Sequence, residues 1–213
     1  MKKLLVTLLI LSFANSYSQY GKRDGNRIAI SGGIIRTGLT TPNFNTKPGI
    51  GWIGGFSVRG NYYNDWSMIF GMQFMESKFS VETLTKDVDY KLPAVQIRLL
   101  LSADLIKKYL SIDFGPVLQI NDKLKLNSND EDLIISGTLL TANDIIDVSK
   151  INGNLYIGFT VGGSRLKFVG FYQYGLNNFM NKLNNDDLRV IRNNNHKFKG
   201  NLGILSGQLL FNL

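Results

Sequence analysis

The sequence predicts an all-β chain, an eight-stranded antiparallel up-and-down transmembrane β-barrel. Three observations predict it. Segment after segment alternates apolar with polar residues at the period of a strand. The connectors between them run long, short, long, short, long, short, long. The polar faces carry mostly Gly, Ser, Thr, Asn and Gln, not the Lys and Glu of a sheet facing water. A membrane barrel needs this combination: tight turns on one side, longer loops on the other, one face apolar and one wet.

Strand one is expected near 27–38, with Ile28, Ile30, Gly32 and Ile34 on one face. A loop over 39–49 follows, marked by Pro42 and Pro48. Strand two, 50–62, sets Trp52, Gly54, Phe56 and Val58 against Gly55, Ser57 and Arg59, and Tyr63-Asn64-Asp65 makes a tight turn. In strand three Trp66, Met68, Phe70, Met72 and Phe74 alternate with Ser67, Ile69, Gly71 and Gln73, a period of two and not of 3.6.

A polar loop, 80–89, leads to strand four, where Val95, Ile97, Leu99 and Leu101 oppose Gln96, Arg98, Leu100 and Ser102. A turn at 106–108 returns the chain as strand five, with Leu110, Ile112, Phe114, Pro116 and Leu118 on its apolar face and Asp113 on the other. The longest connector, 121–150, holds an apolar patch (Leu133-Ile134-Ile135, Leu139-Leu140) that could extend the barrel as a hairpin above the membrane. Strand six, 151–162, turns at Gly163-Ser164 into strand seven, 166–176. An Asn-rich loop, 178–195, precedes strand eight, 198–213. With an even number of strands both ends fall on the short-turn side, the periplasmic side of outer-membrane barrels.

The first residues read as a signal peptide, 1–18: Lys2-Lys3, an apolar run from Leu4 to Phe13, and Ser16-Tyr17-Ser18 before Gln19. That leaves 19–213 as a single barrel domain exported to the outer membrane. No Cys follows the apolar run, so lipid anchoring is excluded; the chain has no Cys at all, which removes disulfides, thiolate metal sites and Cys nucleophiles. No later stretch is apolar enough for a helical span. The formal charge is +8, including Lys2 and Lys3, but the basic residues are scattered, and with export this argues against nucleic acid. Basic loops beside anionic lipid headgroups or acidic glycans fit better.

Alternation alone does not say which face meets lipid, since a lipocalin-like soluble barrel shares the period. The sparse charges on the polar face (Arg59, Arg98, Asp113, Lys167) suit a narrow interior. Aromatic residues gather at strand ends, Tyr62, Tyr63, Trp66 and Tyr109 near the short turns and Trp52, Phe79, Tyr90 and Phe198 near the loops, as headgroup girdles do. Eight strands leave an interior just wide enough for side chains to fill, so a hydrogen-bonded plug is expected and not an open porin.

Tyr90-Lys91-Leu92-Pro93, Asp113-Phe114-Gly115-Pro116-Val117 and Phe171-Tyr172-Gln173-Tyr174-Gly175-Leu176-Asn177-Asn178 resemble the pattern of PorT-family outer-membrane β-barrel proteins, and Gly158, Gly162 and Gly163 sit where that family also carries glycines. The resemblance implies an eight-stranded barrel in a Gram-negative outer membrane. The founding member is tied to protein secretion; that role is not carried over. The final strand departs from the pattern read by the barrel-assembly machinery: it ends in Leu213, with Phe211 two residues before.

Little points to catalysis. His196, the one histidine, has no Ser near it in sequence, and no G-x-S-x-G or H-E-x-x-H motif is present. Asn127-Ser128-Asn129-Asp130-Glu131-Asp132 offers hard oxygens but lacks the spacing and Gly of a calcium loop, so a hydrated acidic tip is expected. Arg98 and Asp113 could pair inside the barrel as part of a structural plug. Gly54 with Gly55, and Gly162 with Gly163, relieve crowding or permit bends. No catalytic, cofactor or metal site is therefore assigned. The expected role is structural or binding, exerted by a monomer through the loops around 121–150 and 178–195 on lipopolysaccharide sugars, peptides or another envelope protein. The alternatives are an auxiliary component of a secretion apparatus, a lipid acyl hydrolase centred on His196, and a soluble periplasmic carrier.

Overall fold

Period-two alternation becomes a closed ring of strands. The computed structural model describes residues 27–213 except 64 and 108; the expected signal peptide and its cleavage site lie outside the described residues. The strands are β1 (Arg27–Thr40), β2 (Thr46–Tyr63), β3 (Trp66–Glu82), β4 (Asp87–Ile106), β5 (Leu110–Asn121), β6 (Ile151–Gly162), β7 (Leu166–Gly175) and β8 (Asn201–Asn212). Each is antiparallel to its neighbour in the chain, and β8 closes on β1 with Phe211 opposite Ile30 and Asn201 opposite Thr40. Closure leaves no sheet edge unpaired, which hydrocarbon demands because it cannot hydrogen-bond a backbone.

The apolar face points outward. Trp66, Phe70, Leu99, Phe114 and Tyr172 keep 39–49% of their surface exposed, while inward Gln73, Gln96, Ser102 and Asp113 keep 0–2%. A soluble carrier would show the reverse, so the lipocalin-like alternative falls. Along β4 the outward residues are Asp87, Asp89 and Lys91, then Pro93, Val95, Ile97, Leu99, Leu101, Ala103 and Leu105. The change from charged to apolar marks the loop-side edge of the hydrocarbon belt. At 20 residues β4 is about twice the 9–11 that a tilted strand needs to cross.

That excess corrects the connector pattern. Only 122–150 and 176–200 are long; 41–45 and 83–86 are short, because β1 to β4 all run past their expected bounds, β3 and β4 as a hairpin above the membrane. The polar residues at 80–89 are the outer face of that hairpin. Its inner face carries Phe79, Val81, Val88, Tyr90 and Leu92, with Phe79 opposite Tyr90 and Val81 opposite Val88. Phe79, Tyr90 and Phe198 are therefore not girdle residues. They are 0–1% exposed and belong to a second apolar core above the barrel mouth. Of the expected loop-side girdle only Trp52 faces out, joined by Tyr174.

The two long connectors complete this cap. Ile135 and Leu140, from the apolar patch seen in the sequence, are fully buried in it, alongside Ile145, Phe179 and Leu183. The patch packs against the β3–β4 tip, bridging Ile135 to Thr83, and turns back on itself through Ile134 and Thr141. A short helix, α1 (Asp187–Arg192), starts where the Asp186 side chain accepts from the Leu188 and Arg189 amides. Burying a Leu, Ile or Phe contributes about 1.5–3 kcal/mol, so these connectors form a folded lid. Strand eight starts at Asn201; Phe198 lies in the lid.

Candidate functional site

The inward residues of β4 run through every layer of the interior. From the short-turn side they are Asp104, Ser102, Leu100, Arg98, Gln96, Ala94, Leu92, Tyr90 and Val88. The first of these line a water-accessible vestibule, Arg98 and Gln96 belong to a polar plug, and Leu92 to Val88 lie in the cap.

The plug is a chain of amides. Gln96 Nε2 donates to Gln119 Oε1 and to Gln173 Oε1, both at 2.9 Å. Gln119 Nε2 passes the chain to Asn121 Oδ1 at 2.7 Å, and Asn121 Nδ2 passes it to Asn152 Oδ1 at 2.7 Å. Asn154 Nδ2 also donates to Gln119 Oε1, at 2.9 Å. These side chains come from β4, β5, β6 and β7, so the network ties half the ring together. Fully satisfied amides in a low-dielectric interior are mutually reinforcing. Apolar Ile35, Ile53, Met75, Val117 and Ile204 fill the rest of the cross-section. The expected hydrogen-bonded plug is present.

The expected Arg98–Asp113 pair is not. Asp113 sits opposite Ser102 on β4, whereas Arg98 sits opposite Val117, four residues further along. Arg98 instead stacks on Phe171 (4.5 Å to the ring centroid) and Tyr156 (5.5 Å), and donates through Nε and Nη2 to Gln96 Oε1. Gly158 makes room for the two rings, since a Cβ there would lie 2.6 Å from the Phe171 Cβ and 2.9 Å from the Tyr156 Oη.

Asp113 accepts from the hydroxyls of Ser102, Ser111 and Thr160, and Arg59 Nη2 lies 3.4 Å away. Arg59 Nη1 reaches Asp104 at 3.7 Å. The side chains of Arg59 and Asp104 are 22% and 28% exposed, and that of Asp113 2%. Alternation placed all these groups inside, but which cation meets which carboxylate depends on stagger between strands, which one sequence does not reveal.

The vestibule is a cavity of about 90 Å³ open toward the short-turn end. Its walls carry Arg27, Arg59, Arg98 and Lys167 against Asp104 and Asp113. Among the described residues one buried side-chain atom lacks a hydrogen-bond partner: Nε2 of Gln208, which also lines this cavity.

Other candidates lie apart from the lumen. His196 is exposed beyond a turn built on left-handed Asn194 and Asn195; its backbone amide donates to Asn193 O, and its carbonyl accepts from Asn193 Nδ2 at 2.7 Å. Among the described residues nothing hydrogen-bonds its imidazole, so the geometry of a general base is not assembled. The acidic run is a capped turn: Asn127 Oδ1 accepts from the Asn129 amide, and Asp130 pairs with Lys86 at 2.7 Å. Among the described residues no group of three or more His, Cys, Asp or Glu converges to hold a metal. Gly162, at φ 146°, forms the β6–β7 turn beside Leu166, so its role is geometric. In the cap, Asp147 gathers Lys123 and Lys182, each at 3.2 Å, and Arg189 at 3.6 Å. Burial raises its pKa, but the hydrogen bonds and charges of Lys123 and Lys182 prevail and hold the carboxyl below its ordinary 3.8.

An outward apolar belt, a closed eight-strand ring and a plugged lumen define a small transmembrane β-barrel of the outer-membrane type. The chain is similar in fold to neisserial surface protein A, at 11% identity over 88% of this chain and 99% of that one, with a TM-score of 0.50. It is also similar to Ail, the attachment invasion locus protein of Yersinia pestis, solved in complex with the heparin analogue sucrose octasulfate, at 12% identity over 89% and 99% of the two chains and a TM-score of 0.52. No family model and no curated protein sequence matches the chain, so the PorT-family likeness rests on the quoted motifs alone. At these identities the shared property is the fold.

Proposed function

We propose that this chain is exported to the outer membrane and acts there through its loop-side cap, in a structural or binding role and not as a solute channel. The blocked lumen carries this reading. Between the vestibule and the cap lie the Gln96–Gln119–Gln173 network and the apolar layer, and above them Phe79, Tyr90, Phe198 and Leu140 fill the mouth. What remains for recognition is the cap's outer surface. Leu84, Leu139, Leu188 and Ile191 are 56–69% exposed there. Backbone bonds from Leu84 N to Ile134 O (3.0 Å) and Leu139 N to Arg192 O (2.9 Å) hold the β3–β4 tip, the 122–150 connector and the end of α1 side by side.

A monomer bathed in lipid and lipopolysaccharide, inserted by the barrel-assembly machinery, is the arrangement we favour. Those exposed apolar residues suit a partner protein of the envelope better than a sugar. They also favour the second reading, an auxiliary component of a secretion apparatus, toward which the PorT-like motifs lean. Fractionation with a heat-modifiability gel tests the membrane assignment; release without detergent refutes it. Planar-bilayer recording tests the absence of conduction, and steady open-channel current refutes the plug. Because the chain lacks Cys, single cysteines at Leu84, Leu139 and Leu188 can carry photo-crosslinkers in intact cells. One envelope protein captured from all three positions supports the binding role, and capture of lipid alone overturns it.

A further inference from the structure

Arg98 is 6% exposed and lies inside a barrel surrounded by hydrocarbon. Its Nε and Nη2 share one neutral acceptor, Gln96 Oε1, and its planar group rests on two rings. Among the described residues no carboxylate lies within ion-pair distance of it, and its Nη1 makes no hydrogen bond; the guanidinium borders the vestibule. Burying an ion without a counter-charge is costly, and stacking on two rings offsets only part of that cost.

Gln208, on β8, lines the same cavity, and its Nε2 is a second donor without a hydrogen-bond partner, buried just behind the cavity wall. Asp113 cannot serve either group, because three hydroxyls and Arg59 already converge on it. The cavity walls carry more cations than carboxylates, and about 90 Å³ admits a small polyatomic ion. In this lumen four cations face two carboxylates, while at the short turns Lys107 is paired with Asp65 at 3.5 Å. Above the hydrocarbon belt, acidic side chains balance the basic ones.

We propose that the vestibule binds a small oxyanion, held by Arg98 Nη1 and Gln208 Nε2 and reached from the short-turn side. An anion with several acceptor oxygens answers both donors at once and supplies the missing counter-charge; chloride brings the charge but only one spherical acceptor. Closed at its far end by the amide plug, the vestibule is a blind binding pocket and not a pathway. This site is independent of the loop-side role proposed above.

The test is isothermal titration of the full barrel in a non-ionic detergent free of phospholipid, so that no lipid phosphate competes. Inorganic phosphate and sulfate are the probes, with sodium chloride at matched ionic strength as reference. Saturable binding of either oxyanion is expected. Arg98→Met should weaken it about tenfold or more, the worth of a charge-assisted hydrogen bond. Gln208→Leu should weaken it about tenfold or more, since its amide donates to an ionised oxygen. Lys47→Gln, on the loop side, should leave it unchanged. A heat-modifiability gel certifies each variant as folded; if Arg98→Met does not fold, Arg98→Lys, which keeps the charge but loses the fork, takes its place. Absence of saturable oxyanion binding, binding matched by chloride, or wild-type affinity in folded Arg98 and Gln208 variants overturns the proposal.

Discussion

Replacing Asp113 by alanine removes the one acceptor on which three hydroxyls and a guanidinium converge. The carboxylate is 1% exposed, and the donors come from β2, β4, β5 and β6, so the change is felt across half the ring. A hydrogen bond to a charged group contributes about 1.5–3 kcal/mol. Three would sum to more than is lost, because Thr160 lines the vestibule and its hydroxyl can rotate toward water there. Arg59 keeps Asp104, and its side chain is already 22% exposed. We therefore expect a loss of about 3–5 kcal/mol, the range for removing one partner of a buried charged network.

Asp113→Asn keeps one acceptor oxygen and should lose about half as much. Arg59→Met added to Asp113→Ala should recover part of the loss, since no unpaired cation remains. The assay is equilibrium urea unfolding in thin-lipid vesicles, followed by tryptophan emission. Trp52 and Trp66, the chain's two tryptophans, are 52% and 41% exposed on the outer face and report loss of the lipid environment. A loss below about 0.5 kcal/mol for Asp113→Ala, the scatter of an ordinary surface substitution, would refute the claim that this network holds the short-turn half of the barrel.

Phe70→Arg, midway along the outward run of β3, should cost about 2–4 kcal/mol in the same assay, as a cation at the bilayer midplane does. Phe79→Ala removes a ring stacked 5.7 Å from Tyr90 in the cap and should cost about 3–5 kcal/mol locally. It should expose 122–150 and 176–200 to protease while the heat-modifiable barrel persists. The Asp147 carboxyl is held below 3.8, so its stabilisation of the cap is full above that value and is lost as pH falls from 3.8 through the lower folded-state pKa. Amide exchange in the cap should rise over that acid window, and Asp147→Asn should exchange faster at neutral pH and lose this step.

Inside the hydrocarbon belt the sequence was legible almost residue by residue. In β3, Trp66, Met68, Phe70 and Phe74 face out and Ser67, Gly71 and Gln73 face in, as the alternation required. Above the belt the same rule misled. At 80–89 the polar residues are the water side of a continuing hairpin, and a polar run reads alike as a loop or as strands standing in water. Reading Phe79, Tyr90 and Phe198 as girdle residues failed for the same reason: an aromatic ring at a strand end suits a headgroup layer or a buried lid equally well. The unused donors of Arg98 and Gln208 were invisible, since each looked like one more polar residue on an inward face.

The chain by itself showed that the strands alternate and predicted, from the makeup of their polar face, that the apolar side faces out. Those properties are local, repeated every second residue. Only the closed ring decided that Asp113 meets Arg59 and not Arg98, that two connectors fold into a lid, and that a cationic vestibule is left beneath an amide plug. Such pairings depend on the stagger between strands distant in sequence, and stagger is fixed when all eight close together.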